Sequence, residues 1–286
     1  MFTVLVNGLL PYDSGKTWFS IALARGLMFK GFKVSMYKPI AAHSAWYQFL
    51  TVINSLKHGI LVGEDIIKYI SILGLNFSLE LINPVDFMTA PPNPKLFSSS
   101  KKYLASLEEF FEQIVLARVS TINENTKHYL IAANAEKTVN SLKPWIKKLC
   151  NKLKPETLSI NKLLKIVYSR NVLETLDYNL EKLSEKSDII IVESFSNASI
   201  PYYRFLEKVN MVLTVTPGYV FSLNVKEFKK AVQKLYRTLG DIGLRTDLII
   251  DTVNKTFEIP VSPSLSPEDL NVKDVVLKTI KLYKTC

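Results

Sequence analysis

The sequence predicts an α/β fold, a doubly wound and mostly parallel sheet carrying a helical insertion. Three observations predict it. The chain opens on an apolar run, Phe2-Thr-Val-Leu-Val-Asn7, which passes through a glycine-containing loop into a helical pattern. Later apolar runs, Asp188-Ile-Ile-Ile-Val-Glu193, Met211-Val-Leu-Thr-Val215 and Asp247-Leu-Ile-Ile-Asp251, have the length of buried strands. Between the early and late runs lies a long stretch of almost wholly helical spacing.

The first run is rich in β-branched residues and reads as a central strand. Lys16 to Lys30 then carries Phe19, Leu23 and Leu27 at helical spacing, and Gly31 ends it. Val34-Ser-Met-Tyr37 is a second short strand, stopped by Pro39. Ser222 to Leu239 is helical, with Val225, Phe228, Val232 and Leu235 along one side. From about Lys101 to Lys186 the pattern is helical again: Leu104, Leu107, Phe111, Ile114, Val115 and Val119, and later Leu163 to Leu183. Only Tyr129-Leu-Ile-Ala132 interrupts it as a strand. The expectation is one domain over 1–286, with 95–187 as a helical insertion entered near Pro91-Pro-Asn-Pro94.

Composition narrows the class. With 286 residues and 48% hydrophobic content the chain can bury a sizeable core. It holds no apolar run long enough to span a membrane, and its start lacks the basic leader of a signal peptide; a cytoplasmic location without a membrane partner is expected. The net charge of +10 favours anionic partners. Its lysines are dispersed along helices, however, with no arginine–aromatic cluster, so a solvated basic surface is expected rather than a specific nucleic-acid site. Cys150 and Cys286 read as two unpaired thiols.

The chemistry concentrates at Gly15-Lys16-Thr17, at a strand-to-helix junction. Backbone N–H groups of a glycine-containing turn and the positive end of a helix together make an anion site. In such a P-loop Lys16 reaches the outer phosphates and the Thr17 hydroxyl ligates Mg²⁺. The usual spacing puts a glycine where Leu10 stands. The nearest upstream glycine is Gly8, so the loop is longer, and Pro11 removes one donor. The expected nucleotide contacts are Gly8, Tyr12, Asp13, Ser14, Gly15, Lys16, Thr17 and Trp18.

Several blocks in collinear order resemble the dethiobiotin synthetase branch of P-loop ATPases, relatives of the ParA/MinD and cobyrinate amidotransferase groups. They are Tyr12-Asp-Ser-Gly-Lys-Thr17, Tyr37-Lys-Pro-Ile40, Asn83-Pro-Val-Asp-Phe87 with Ala90-Pro91, Asp188 to Glu193, and Glu258-Ile-Pro260. The loop text also resembles a set of archaeal proteins described as predicted P-loop ATPases or GTPases. The resemblance implies that Glu193 holds Mg²⁺ at a strand end and that Lys38 contacts phosphate and substrate. It implies a second metal-side carboxylate at Asp65, for which helix N-capping is the competing role, and a metal or hydroxyl contact at Asp13. Ala41-Ala-His-Ser44 and Ser194-Phe-Ser-Asn197 depart from the family's substrate-side motifs, which points away from biotin precursors. His43 is an acid–base candidate. Asn254-Lys255 is similar to a guanine-reading pair, but Phe257 replaces its aspartate, leaving adenine equally open.

Two functions stay in view, beside a degenerate P-loop of purely structural role that Leu10 and Pro11 keep open. One is an enzyme using Mg²⁺ and ATP (or GTP) for hydrolysis or for phosphoryl transfer to a small molecule, with Lys16 and Lys38 as catalytic groups. The other is a nucleotide-controlled switch or assembly factor acting on a protein partner, or as a homodimer, through slow hydrolysis.

Overall fold

The computed structural model describes residues 1–240 and 243–285; Cys286 lies outside them. The chain is mixed α/β and divides into two compact units. The first comprises Met1–Ile40, Lys68–Phe77 and Asp177–Cys286; the second comprises Ala41–Ile67 and Ser78–Leu176.

Along the chain, β1 (Phe2–Gly8), α1 (Lys16–Phe29) and β2 (Val34–Tyr37) are followed by β3 (Ile40–Ser44), α2 (Leu50–His58), α3 (Glu64–Leu73) and the single turn α4 (Leu79–Ile82). Next come β4 (Val85–Thr89), α5 (Ser100–Glu108), α6 (Phe110–Gln113), β5 (Ile114–Val119), β6 (Lys127–Leu130), α7 (Ala132–Lys137) and α8 (Lys143–Leu153). The remainder is β7 (Glu156–Thr157), α9 (Ile160–Val167), α10 (Arg170–Ser184), β8 (Ile189–Glu193), β9 (Met211–Thr216), β10 (Tyr219–Leu223), α11 (Val225–Leu239), β11 (Lys255–Pro260) and α12 (Lys273–Tyr283). No described helix is long and apolar enough to cross a membrane.

The first unit holds a six-stranded sheet in the order β11-β10-β9-β1-β8-β2. β1 pairs in parallel with both β8 and β9, and β2 pairs in parallel with β8. Every residue of β1 and β8 is buried, which is why both read as unbroken apolar runs rather than alternating ones. Beyond β9 the sheet turns antiparallel through β10 and β11.

The late chain departs from its sequence expectation at two places. Residues 219–223 form β10, hairpin-paired to β9 across Pro217-Gly218, so the following helix starts at Val225 and not at Ser222. The Asn224 side chain caps that helix, accepting from the Lys226 and Glu227 N–H groups. The run 247–251 is not a strand. It winds through 3₁₀ turns at Thr246–Leu248 and Ile250–Thr252, where Asp247 accepts hydrogen bonds from Arg245 and Asn197. The outer place in the sheet goes instead to the less apolar 255–260. A four- or five-residue apolar run does not distinguish strand from buried turn.

The second unit holds a sheet in the order β3-β4-β5-β6-β7. Thus the stretch expected to be helical contributes strands: Ile114, Val115 and Val119 belong to β5, all six residues of which are buried. Total burial cannot come from one helical stripe, and the β-branched content of 114–119 favours a strand. One sheet face packs under α2 and α8 through Ala45, Met88, Leu116, Val52, Ile146 and Leu149. Further along that face runs a cross-strand polar row. Asp86 stands opposite Arg118, and Arg118 opposite His128. His43 Nδ1 lies 3.3 Å from Asp86 Oδ1, and Arg118 Nη2 donates to Asn83 Oδ1 at 2.6 Å. Burial holds the Arg118 guanidinium below its ordinary value, against the raising influence of Asp86 and Glu80.

His128 closes the row. Its Nε2 accepts the Leu61 N–H at 3.1 Å, which requires a neutral ring. Burial first, and then the Arg118 charge, lower its pKa from 6.5 to about 4. Between those values the unfolded chain binds a proton that the folded one refuses, so stability falls as pH drops from 6.5 to about 4. Acid unfolding of His128→Gln, which can still accept from Leu61 but does not titrate, should show a shallower loss across that window than the wild type.

Candidate functional site

Parallel pairing brings the carboxyl ends of β1, β8, β9 and β2 to one edge of the first unit's sheet. Opposite residues are Val6 and Glu193, Gly8 and Val215, and Tyr37 and Val192. The loops leaving these strands therefore meet: 9–15 after β1, 194–197 after β8, and Lys38 after β2. Ligand sites in open parallel sheets form at this edge.

The 9–15 loop is shaped by two glycines with different reasons. A Cβ on Gly8 would lie 2.7 Å from Lys16 Nζ and overlap the Ser14 hydroxyl, so the space it leaves is where the lysine folds back. A Cβ on Gly15 would meet only ordinary contact, with Val215 at 3.9 Å, but its φ is +85°, which L side chains adopt at a cost. It is the N-cap of α1 and supplies no side-chain cap, and the first turn of α1 carries no acid. Neither the N-cap side chain nor a first-turn acid of α1 itself offsets the positive end of this helix. Ser14 is buried and donates to the Leu10 carbonyl at 3.1 Å. Asp13, with φ +53°, and Tyr12 are exposed.

Lys16 is nearly buried, and its ammonium donates to the Ser196 carbonyl at 2.8 Å and to Ser14 Oγ at 3.4 Å. The Ser196 hydroxyl in turn donates to the Pro11 carbonyl at 3.1 Å. Ser196 has φ +50°. Thus Asp13 and Ser196, two non-glycine residues in a sparsely populated conformation, sit in the two loops that Lys16 joins.

Glu193 is fully buried at the end of β8. Its Oε1 accepts from Lys38 Nζ at 2.8 Å and from Thr17 Oγ1 at 3.1 Å, and its Oε2 accepts from the Tyr69 hydroxyl. Three elements converge on one carboxylate: the end of β2, the first turn of α1, and α3. Behind them Asn7 locks the end of β1 in place. It accepts from the Thr214 hydroxyl at 2.7 Å and donates to the Ser199 carbonyl at 2.9 Å.

The expected residues Gly8, Ser14, Gly15, Lys16, Thr17, Lys38 and Glu193 are thus brought together, with Tyr12 and Asp13 on the loop above them. Trp18 faces Lys68, whose ammonium lies 5.0 Å from the indole centroid. Asp65 occupies the first turn of α3 and counts with the second unit. Asn254 is a correction. β11 runs parallel to β9, and Lys255 stands level with Leu223 and Val212, so Asn254 lies at the opposite edge of the sheet from Gly8. Its amide is taken by Glu227, at 2.8 Å from the backbone N and 3.1 Å from Nδ2. The part of β11 that reaches the Gly8 edge is Pro260.

Two participants escaped the sequence reading. Tyr69 shares a buried helical stripe with Ile66 and Leu73 and reads as core; only the need of a buried hydroxyl for a partner hinted at more. Ser196 carries no signal, because its part is played by its backbone carbonyl.

Chemically, this edge offers two ammonium groups, an uncapped helix start, and a hydroxyl beside a carboxylate, the oxygen donors a hard divalent cation takes. Compared with protein-family models, curated proteins and solved structures, the chain finds no match.

Removing the carboxylate should be costly. Glu193→Ala leaves the Lys38 ammonium buried without its counter-ion and is expected to destabilise the fold by about 3–5 kcal/mol. The Lys38→Met/Glu193→Leu pair should cost less than the single change. Urea unfolding of the three proteins checks both statements.

Proposed function

We propose that the first unit binds a nucleoside triphosphate with Mg²⁺ through a P-loop formed by residues 8–17. We further propose that it acts as an ATP- or GTP-dependent hydrolase or phosphoryl transferase of the dethiobiotin synthetase-like, ParA/MinD-related group. The observation that carries this reading is the approach of Thr17 Oγ1 to within 3.1 Å of Glu193 Oε1, with Lys16 and Lys38 on either side, at the carboxyl edge of parallel strands. These two oxygens would hold Mg²⁺, a hard cation that takes oxygen ligands.

In this reading Lys16 leaves the Ser196 carbonyl and holds the outer phosphates, while the start of α1 faces their negative charge. Thr17 and Glu193 hold the cation. When bound, the cation would neutralise charge on the outer phosphate oxygens and fix their orientation. Lys38, already within the site, stabilises charge that builds up on the transferred group. Phosphoryl transfer asks mainly for such positioning. The acceptor is water or a small molecule, and the departures at Ala41 to Ser44 and Ser194 to Asn197 favour a substrate other than a biotin precursor.

A second reading is favoured by the Lys16–Ser196 contact. If Lys16 turns from a carbonyl to phosphate, the strained 194–197 loop loses a partner. That loop is tied onward to 244–247, because Thr246 N donates to the Asn197 carbonyl at 2.8 Å and Ser199 N to the Leu244 carbonyl at 2.7 Å. A nucleotide-controlled switch would use this connection.

Calorimetric titration with Mg²⁺-ATP and Mg²⁺-GTP tests the reading. One of them should bind the wild type. Lys16→Ala should lose roughly 100-fold or more in affinity, as expected when a charge-assisted contact and its buried setting are lost together. Thr17→Val should remove the dependence on Mg²⁺. Absence of binding by either nucleotide would refute it. Steady-state phosphate release then separates the two readings, since an enzyme turns over and a switch does so slowly.

A further inference from the structure

The lysines that look dispersed along the sequence are gathered by the second unit. Helices α2 and α8 lie side by side on its sheet. Phe49, at the start of α2, meets Trp145 edge to face with ring centroids 5.1 Å apart. At the other end, Gly59 lies against the aliphatic stem of Lys152. The two helices therefore run parallel, with Val52, Ile146, Leu149 and Leu153 turned into the core.

What they turn outward is unusual. Just before and along α2, Trp46, Tyr47, Leu50 and Ile53 are 50%, 79%, 61% and 37% exposed. Leu50, Ile53 and Lys57 follow one another at the spacing of a single helix face. Beside them α8 exposes Lys143, Lys147, Lys148 and Lys152, with Lys154 at its end. From Ile40 to Gly63, and from Lys137 to Pro155, there is no aspartate, glutamate or arginine. Glu64 borders this surface, accepting from Gln48 at 3.2 Å; several exposed apolar side chains beside a row of lysines mark an interaction surface.

We propose that the α2–α8 face docks on an anionic lipid surface. Tryptophan and tyrosine favour the headgroup level, exposed leucine and isoleucine enter the acyl boundary, and lysines with long apolar stems reach anionic headgroups. A second copy of this chain is disfavoured, because a two-fold contact would set lysine against lysine. A nucleic acid would engage the lysines through its phosphates and stack on Trp46 or Tyr47, but would leave Leu50 and Ile53 in water. With no membrane-crossing helix among the described residues, the attachment is peripheral. It is independent of nucleotide binding, since it uses neither Lys16 nor Glu193.

The test is co-sedimentation of the full chain with vesicles of phosphatidylcholine alone or mixed with phosphatidylglycerol. Binding to the mixed vesicles only, weakened by salt, is expected. Lys147→Ala/Lys148→Ala/Lys152→Ala should weaken it roughly 100-fold, at about a factor of five per lysine. Trp46→Ser/Leu50→Ser/Ile53→Ser should lose it while keeping the circular dichroism and melting of the wild type. No sedimentation with mixed vesicles overturns the proposal. So does binding that the second variant leaves unchanged, which is only generic charge attraction. So does binding to a single-stranded oligonucleotide in place of vesicles.

Discussion

The first unit is organised around one buried carboxylate. Glu193 is wholly removed from water, and an isolated ionised carboxylate there would be prohibitively costly. It is tolerated because Lys38, Thr17 and Tyr69 all donate to it. Each donor comes from a different element, so satisfying the one charge sets where β2 ends, where α1 begins and how α3 lies against them. The parallel register makes this feasible, since Tyr37 stands opposite Val192 and the next residue of each strand is the lysine or the glutamate. Lys38 is thus a built-in counter-ion at the oxygen that the proposed nucleotide site assigns to a cation. The same arrangement serves the stability of the free protein and the chemistry proposed for the loaded one.

Much of this was legible in the amino-acid sequence, and for physical reasons. Strands buried on both faces leave continuous apolar runs, so β1, β2, β8 and β9 stand out. A glycine that must accept φ +85° before a lysine and a threonine announces the start of α1. What stayed hidden depends on long-range partners. Nothing in Asn254-Lys255 tells which end of a strand will face the loop; that is decided by β10 folding back through Pro217-Gly218, which inverts the ladder before β11 joins it. Likewise the apolar positions of 114–119 fit a helical spacing, and its β-branched content becomes decisive once β4 and β6 flank it on both sides.

The second unit shows why charge counted along a chain differs from charge placed in space. Lys57 and Lys147 are far apart in sequence, yet the helices that carry them, α2 and α8, pack against each other. Its sheet also carries a row of titratable side chains, His43, Asp86, Arg118 and His128, beside an ordinary apolar core. In that row the Asp86 carboxyl and the Arg118 guanidinium stand opposite each other across β4 and β5, and Asp86 partly offsets the lowering of the Arg118 pKa by burial. The row also makes this unit sensitive to acid, since the hydrogen bond from Leu61 to His128 needs a neutral imidazole.

At Glu193 Oε1, Lys38 and the cation of the proposed nucleotide site would compete for one oxygen. Electron paramagnetic resonance of Mn²⁺, titrated in the presence of ATP or GTP, addresses that competition directly. Nucleotide-dependent Mn²⁺ binding is expected in the wild type, with loss of that binding in Glu193→Gln and tighter binding in Lys38→Met, where the competing ammonium is gone. Equal Mn²⁺ binding by all three proteins, or none by the wild type with either nucleotide, would contradict it.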